Sequence, residues 1–226
     1  MAQSAVMYHE KQYLMHCAVH TLNNLFQEQW ATAPLMEDIA TELFNREASM
    51  REESGMGKMW INPYKSVVPQ VGYYDINVLL EALKLKECHV SLHAVFNPKD
   101  PHAVAQSFEA LDMSGGVRGI VVNRVSKTIL GGLYTSHHYY AIIPWTKSDT
   151  TTAAAAAADG DDMQTEEAEG KAGGEASDKS TVWYVIDSKA DGPELIGGKA
   201  EIALHLGMEA REHQGHVFVV ADGNGE

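Results

Sequence analysis

Apolar and polar positions alternate along this chain with two different periods, and the change from one to the other sets the expected architecture. Ala18, Leu22 and Leu25 recur at spacings of four and three, which predicts a helix over 17–27 with one apolar face. Pro34, with Glu37 and Asp38 close behind, opens a second amphipathic segment over 35–51 that carries Ile39, Leu43 and Phe44 along one side. The stretch 54–63 has no period and reads as a loop. Asp75 stands as an N-cap to a helix over 76–85, whose Ile76, Leu79, Leu80 and Leu83 form a stripe. A strand is expected over 89–96, closed by Pro98 and Pro101, then a short helix over 103–111 and a turn at Gly115-Gly116. Beyond that turn the pattern changes to β-branched and aromatic runs, over 119–125, 137–145, 182–188 and 216–220, with one further helix over 199–213. Helices first and strands later predict an α+β fold built on an antiparallel sheet.

One segment fits neither period. Residues 146–180 hold six consecutive alanines and then a Gly, Asp and Glu mixture without an aromatic residue. Six alanines fall short of the ~12–15 residues an isolated helix needs, so a disordered insertion is expected there, within one domain spanning 1–226. The strands on either side look complete, so the insertion takes the place of a hairpin turn. The segment carries nine acids against three lysines, so it contributes −6 to a net charge of −14 and leaves −8 for the rest.

That acidity argues against sequence-independent nucleic-acid binding and against attraction to an anionic membrane surface. No run of 18 apolar residues predicts stable membrane insertion, and the first residues lack the pattern of a secretory signal. Two cysteines make no disulfide framework, and a reducing cytosolic or nuclear setting is expected, with both thiols free.

The chemistry centres on Cys17, between His16 and His20 at a helix start. A closed zinc site needs four ligands, and the only other cysteine, Cys88, adjoins His89 on a strand, where neighbours point to opposite faces; no metal or other cofactor is expected. A small buried core thiol is the plain alternative. Against it stand the helix start, expected to lower the thiol pKa, and Gln12 five residues upstream, an amide able to donate to an oxyanion. His137 and His138 are both candidate bases; they face opposite sides of one strand, and periodicity does not choose between them. Asp187 breaks an apolar run and is the candidate orienting carboxylate, expected to meet the base at the open end of a hairpin.

The pattern HEKQ-x4-CA-x-H-x-LNN over 9–24 resembles the Josephin family of deubiquitinating cysteine proteases, whose fold is papain-like. The segments NPYKS (62–66), GYYDINVLLEAL (72–83) and IDSKADGPELIGG (186–198) are similar to the short Josephin-domain proteins, in the same order. The resemblance implies Cys17 as nucleophile, Gln12 in the oxyanion hole, His138 as the base and Asp187 as its orienter. His20 is implied as a structural residue of the helix, and 35–51 as a projecting arm with Gly55 and Gly57 as hinges. Ile76 and Asn77 match positions that touch ubiquitin in some relatives. Two departures stand out: His16 replaces an apolar residue and is expected to be solvated, and Tyr139 replaces a tryptophan packed near the base. The implied function is thiol-dependent hydrolysis at the C-terminus of ubiquitin by a monomer, with ubiquitin or ubiquitinated proteins as partners. The alternative is a latent or inactive ubiquitin-binding module.

Overall fold

The computed structural model describes residues 7–65, 72–111, 113, 116–127, 135–146 and 181–223. All but the first residue of the insertion expected over 146–180, and the turn residue Gly115, lie outside the described residues. Among the described residues, five helices and six strands follow in the order α1 (Cys17–Phe26), α2 (Ala33–Glu53), α3 (Ile76–Leu85), β1 (Cys88–Phe96), α4 (Pro101–Ala110), β2 (Val117–Lys127), β3 (Thr135–Trp145), β4 (Val182–Ile186), β5 (Glu194–Gly197), α5 (Lys199–Glu212) and β6 (Gln214–Asp222). The strands form one antiparallel sheet in the order β1-β6-β2-β3-β4-β5. This is the α+β fold that the two periods predict.

Three helix starts have a local cause. The Asp75 carboxylate accepts the Asn77 N–H at 2.9 Å, Thr32 Oγ1 accepts the Leu35 N–H, and Asp100 accepts the Ala103 N–H. Pro34 and Pro101 occupy the first turns of α2 and α4, where a missing N–H costs nothing. The strand β5 is absent from the sequence reading. Its four residues are too few to show a period, and it follows Pro193 directly.

Alternation along the central strands divides the apolar side chains between two layers. Val121, Tyr139, Ala141, Ile143, Phe218 and Val220 face α1, α2 and α3. Ile120, Val122, Tyr140, Ile142 and Val217 face α4 and α5. Because both faces are covered, β6 reads as a continuous apolar run and takes an interior place between β1 and β2, although it comes last in the chain.

The second helix is packed only through its first half. Met36, Ile39, Ala40 and Leu43 are buried, whereas most of the positions beyond Leu43 are exposed or half-buried. Trp60 and Ile61, in the segment that follows, are 84% and 64% exposed. The far half of α2 therefore stands out from the core, as the arm reading expects.

Close approach fixes the entry to β6. A Cβ at Gly215 would lie 1.9 Å from the Asn123 carbonyl oxygen of β2, a backbone atom that cannot give way without moving the sheet. Gly215→Ala is expected to destabilise the fold by ~2 kcal/mol or more, lowering the melting temperature by roughly 4–8 °C in a chain of this size. Gly57, with open space around it, is the control, and Gly57→Ala should leave the melting temperature within about 1 °C. Equal melting curves for the two variants would show that the β2–β6 contact is not tight.

Candidate active site

Helix α1 is buried on all sides, including its polar residues His20, Thr21, Asn23 and Asn24. Buried polar groups must be hydrogen-bonded, and here much of that demand is met by the chain that precedes the helix. Asn24 Oδ1 accepts the Glu10 N–H at 2.7 Å, and Gln27 accepts the Tyr8 N–H and donates to the Tyr8 carbonyl. Asn23 donates to the Glu10 carboxylate at 2.7 Å while its Oδ1 accepts the N–H groups of Trp30 and Ala31. His20 Nε2 accepts the Tyr13 N–H at 3.1 Å, so its proton sits on Nδ1, which lies 3.1 Å from Glu10 Oε2. Residues 8–13 are thereby strapped along α1. The role expected for His20, a structural one within the helix, agrees with these contacts.

The strap carries Gln12 to the end of β4. Gln12 N–H donates to the Ser188 carbonyl at 2.7 Å, and His9 Nε2 donates to the Asp187 carbonyl at 3.1 Å. The Gln12 side-chain amide donates one N–H to the Leu14 carbonyl at 2.7 Å, and its second N–H has no partner among the described residues. Leu14 adopts a left-handed conformation, φ 54°, in the turn between Gln12 and the helix.

His138 and Asp187 meet where the hairpin reading places them. The β3–β4 ladder pairs Trp145 with Val182 at one end and Ala141 with Ile186 at the other, so His138 and Asp187 both lie past the open end. His138 Nε2 stands 2.7 Å from Asp187 Oδ1, and both side chains are largely shielded from solvent. A carboxylate only accepts, so Nε2 carries the proton. Nδ1 is buried and has no hydrogen-bond partner among the described residues. His137 instead packs edge-on against Tyr73, with ring centres 5.6 Å apart, and no described carboxylate lies within 4.0 Å of it. The pairing with Asp187 thus distinguishes the two histidines where periodicity does not.

Burial would raise the Asp187 carboxyl. The hydrogen bond and charge of His138, the Lys189 N–H at 2.8 Å and the Arg124 guanidinium outweigh it, and its pKa falls below the usual value. Arg124 stands opposite His138 in the β2–β3 ladder and is held by two bonds to Glu209 of α5, at 2.6 and 2.7 Å. Arg124 and His138, with Gln12, Cys17, Lys189 and His213, line one cleft at the end of the sheet.

Cys17 departs from expectation. Burial raises its thiol pKa, and the Tyr139 and Ala18 backbone groups and the Lys189 charge offset this only in part. The helix start does not outweigh burial, which favours the thiol, and the Cys17 sulfur lies 3.9 Å from the His137 carbonyl oxygen. His16 is not solvated either. It is half-buried, and its imidazole occupies the space where a side chain at Gly72 would sit, with a Cβ there only 2.3 Å from Nδ1. Tyr139 does not pack over the His138 ring, because adjacent strand residues alternate; it lies on the Cys17 face and its hydroxyl donates to the Tyr74 carbonyl. Ile76 is half-buried against the core and Asn77 is exposed, its side chain bonded to Asp75. Neither lines the cleft that holds Cys17.

Arg124, Lys189 and the Glu10–Asn23–Asn24–Gln27 strap are the residues that the sequence reading did not single out as part of the site. The available signals were a charge inside the apolar run 119–125 and amides on the inner face of an apolar helix.

Residues 12–221, which contain every element of this cleft, match the Josephin family model. The chain belongs to the Josephin family. Josephin domains are ubiquitin-related cysteine protease domains, and the α+β fold agrees with that membership. A Josephin-like protein of Arabidopsis thaliana is 32% identical over 137 residues, covering 60% of this chain and 35% of that protein. A Josephin-like protein of Drosophila melanogaster is 29% identical over 143 residues, 62% of this chain and 50% of the relative. Josephin-2 of Mus musculus is 37% identical over 78 residues, 34% of this chain and 35% of the relative. The matches thus span between 35% and 50% of the length of these relatives.

A carboxyl whose pKa is depressed on folding contributes stability above its unfolded pKa, ~3.9 for Asp, and loses it as the pH falls through the lower folded value. The wild-type protein should therefore exceed Asp187→Asn in urea midpoint by a constant margin between about pH 6 and 5, and the margin should close below about pH 4. A margin unchanged down to pH 3 would mean that Asp187 is not held as a carboxylate by its neighbours.

Proposed function

We propose that this Josephin-family chain is a thiol-dependent deubiquitinase, cleaving isopeptide or peptide bonds at the C-terminus of ubiquitin. The observation that carries the reading is the His138–Asp187 contact of 2.7 Å, which commits Nε2 and leaves a buried Nδ1 lone pair in the cleft of Cys17. A thiol that rests protonated needs such an acceptor nearby.

The reaction follows from these positions. The Cys17 proton passes to His138 Nδ1 and the sulfur attacks the carbonyl carbon of the terminal glycine. The developing oxyanion takes the second N–H of Gln12 and the backbone N–H of Cys17, which as the first residue of α1 has no intrahelical partner. His138 then protonates the departing lysine amine, with Asp187 stabilising the imidazolium. Water, activated by the same imidazole, hydrolyses the thioester and releases the carboxylate. A cytosolic or nuclear setting suits this chemistry, since a reducing compartment keeps the Cys17 thiol available. Ubiquitin or a ubiquitinated protein is the proposed partner of a monomeric enzyme, and Ile76 and Asn77 are proposed, on the family resemblance, to touch it.

Incubation with ubiquitin bearing a C-terminal electrophile, followed by intact-mass measurement, tests the nucleophile. One adduct should form, persist in Cys88→Ala and vanish in Cys17→Ala; an adduct surviving Cys17→Ala would sink the assignment. His138→Ala should lower turnover of a fluorogenic ubiquitin substrate on the order of 10²–10⁴-fold, while His137→Ala stays within a few-fold of wild type. Gln12→Ala should cost about 10²–10³-fold in kcat.

A further inference from the structure

The thiol of Cys17 is pushed up by burial and also by the Asp187 charge, so something must favour the charged sulfur if it is to react. The groups that face it come from several elements: His137 and His138 from β3, Arg124 from β2, Tyr73 ahead of α3, His213 at the end of α5, and Asp187 with Lys189 after β4. Most are already committed. Arg124 is bonded twice to Glu209 and lies over the Tyr140 ring at 4.9 Å. Burial favours the neutral form of His137, and its ring packs on Tyr73. His213 lies 4.0 Å from the Glu212 carboxylate. Lys189 differs. Its side chain is exposed at the mouth of the cleft, and among the described residues no carboxylate approaches its ammonium group within 4.0 Å.

Lys189 is tied to the site through its backbone as well. Its N–H donates to Asp187 Oδ1 at 2.8 Å, the same oxygen that meets His138. The backbone bond holds the carboxylate, and the side chain is left to act on the sulfur.

We propose that Lys189 is a positioning residue of the Cys17 site, whose backbone fixes Asp187 and whose ammonium group stabilises the Cys17 thiolate. The proposal rests on the reading of Cys17 as the nucleophile. The two roles separate under substitution, because a change of side chain leaves the backbone N–H in place. An exposed side chain is also free of core packing, so its replacement leaves the fold unchanged.

The test reads thiolate formation without ubiquitin. The full chain is alkylated with iodoacetamide between pH 5 and pH 10, and the rate at Cys17 is followed by mass analysis of the peptide that contains it. Lys189→Gln should slow alkylation about two- to fivefold on the acid side, the size expected of an exposed and screened charge. The rates should converge at alkaline pH, where the thiolate forms in either protein. Lys189→Arg should restore the wild-type profile, and ~1 M salt, with a Debye length of about 3 Å, should shrink the difference. Superimposed profiles for wild type and Lys189→Gln would overturn the proposal. So would a slowing equal at every pH, or a failure of Lys189→Arg to rescue. A shifted profile in a protein that never reacts with electrophilic ubiquitin would leave the Lys189 role standing and remove the deubiquitinase reading. An unshifted profile in an active enzyme would do the reverse.

Discussion

A helix buried on every side must find polar partners for its side-chain amides, and that constraint on α1 organises the site. Asn23, Asn24 and Gln27 face the interior with donors and acceptors that no apolar neighbour can satisfy. Most of these groups are satisfied by the backbone and carboxylate of residues 8–10 and by the Trp30 and Ala31 N–H groups, with His20 holding Tyr13; Asn24 Nδ2 alone of these amides has no partner among the described residues. The preceding segment is therefore bound in one register along the helix. Once it is bound, Gln12 reaches the Ser188 carbonyl and His9 the Asp187 carbonyl, so the strap joins the helix that carries Cys17 to the strand end that carries Asp187. The relative positions of nucleophile, amide and carboxylate follow from this one set of side-chain to backbone bonds.

The second requirement is that groups from opposite faces of a sheet act together. Cys17 belongs to the layer of Tyr139 and Ala141, while His138 continues the face of Tyr140, toward α5. Within the sheet they would be separated by its thickness. At its end, beyond the last β3–β4 pair, there is no ladder between them, and side chains from both layers line one cleft. Arg124 secures the α5 side through Glu209 and adds a positive field at Asp187. The opposite shifts follow from the same arrangement: His138, the Lys189 N–H and Arg124 outweigh burial at the carboxylate and lower its pKa, while at the sulfur burial outweighs the Tyr139 and Ala18 backbone groups and the Lys189 charge and raises it.

Much of this was legible in the sequence, for identifiable reasons. Helix and strand periods, the Asp75 cap and the Pro34 start are local signals, and the α+β architecture follows from their order. The meeting of a strand's first residues with the next strand's last is a consequence of hairpin topology, so the placing of a histidine base beside Asp187 needed only the two strands, whereas the choice of His138 over His137 came from the family resemblance. Other features depend on contacts that no local pattern encodes. Whether Cys17 is a thiolate depends on how deeply α1 is buried, which residues 16–20 do not reveal; the helix start argues one way and burial outweighs it. His16 looks like a surface histidine until Gly72, more than fifty residues away, is seen to leave room for its ring. The tight pairing of Arg124 with Glu209 joins β2 to a helix eighty-five residues later, and only an out-of-place charge in an apolar strand hints at it.

Topology also determines how the chain can vary without disturbing the site. Trp145 and Val182 are the last pair of the β3–β4 ladder, so the chain between those strands leaves and returns at the end remote from His138 and Asp187. His138 and Trp145 are seven positions apart, ~23 Å of strand at about 3.3 Å per residue. A long connection there adds little closure entropy, roughly 0.6 kcal/mol for each doubling of length. The register near the cleft is set by Ala141 against Ile186 and by the buried side chains of both faces. A slip of one residue would send Tyr139 and Ile143 to the wrong layer, a cost no connection of any length could impose or relieve. Extra chain at that end is therefore compatible with an intact His138–Asp187 pair, whereas an inserted residue between His138 and Ala141 would not be.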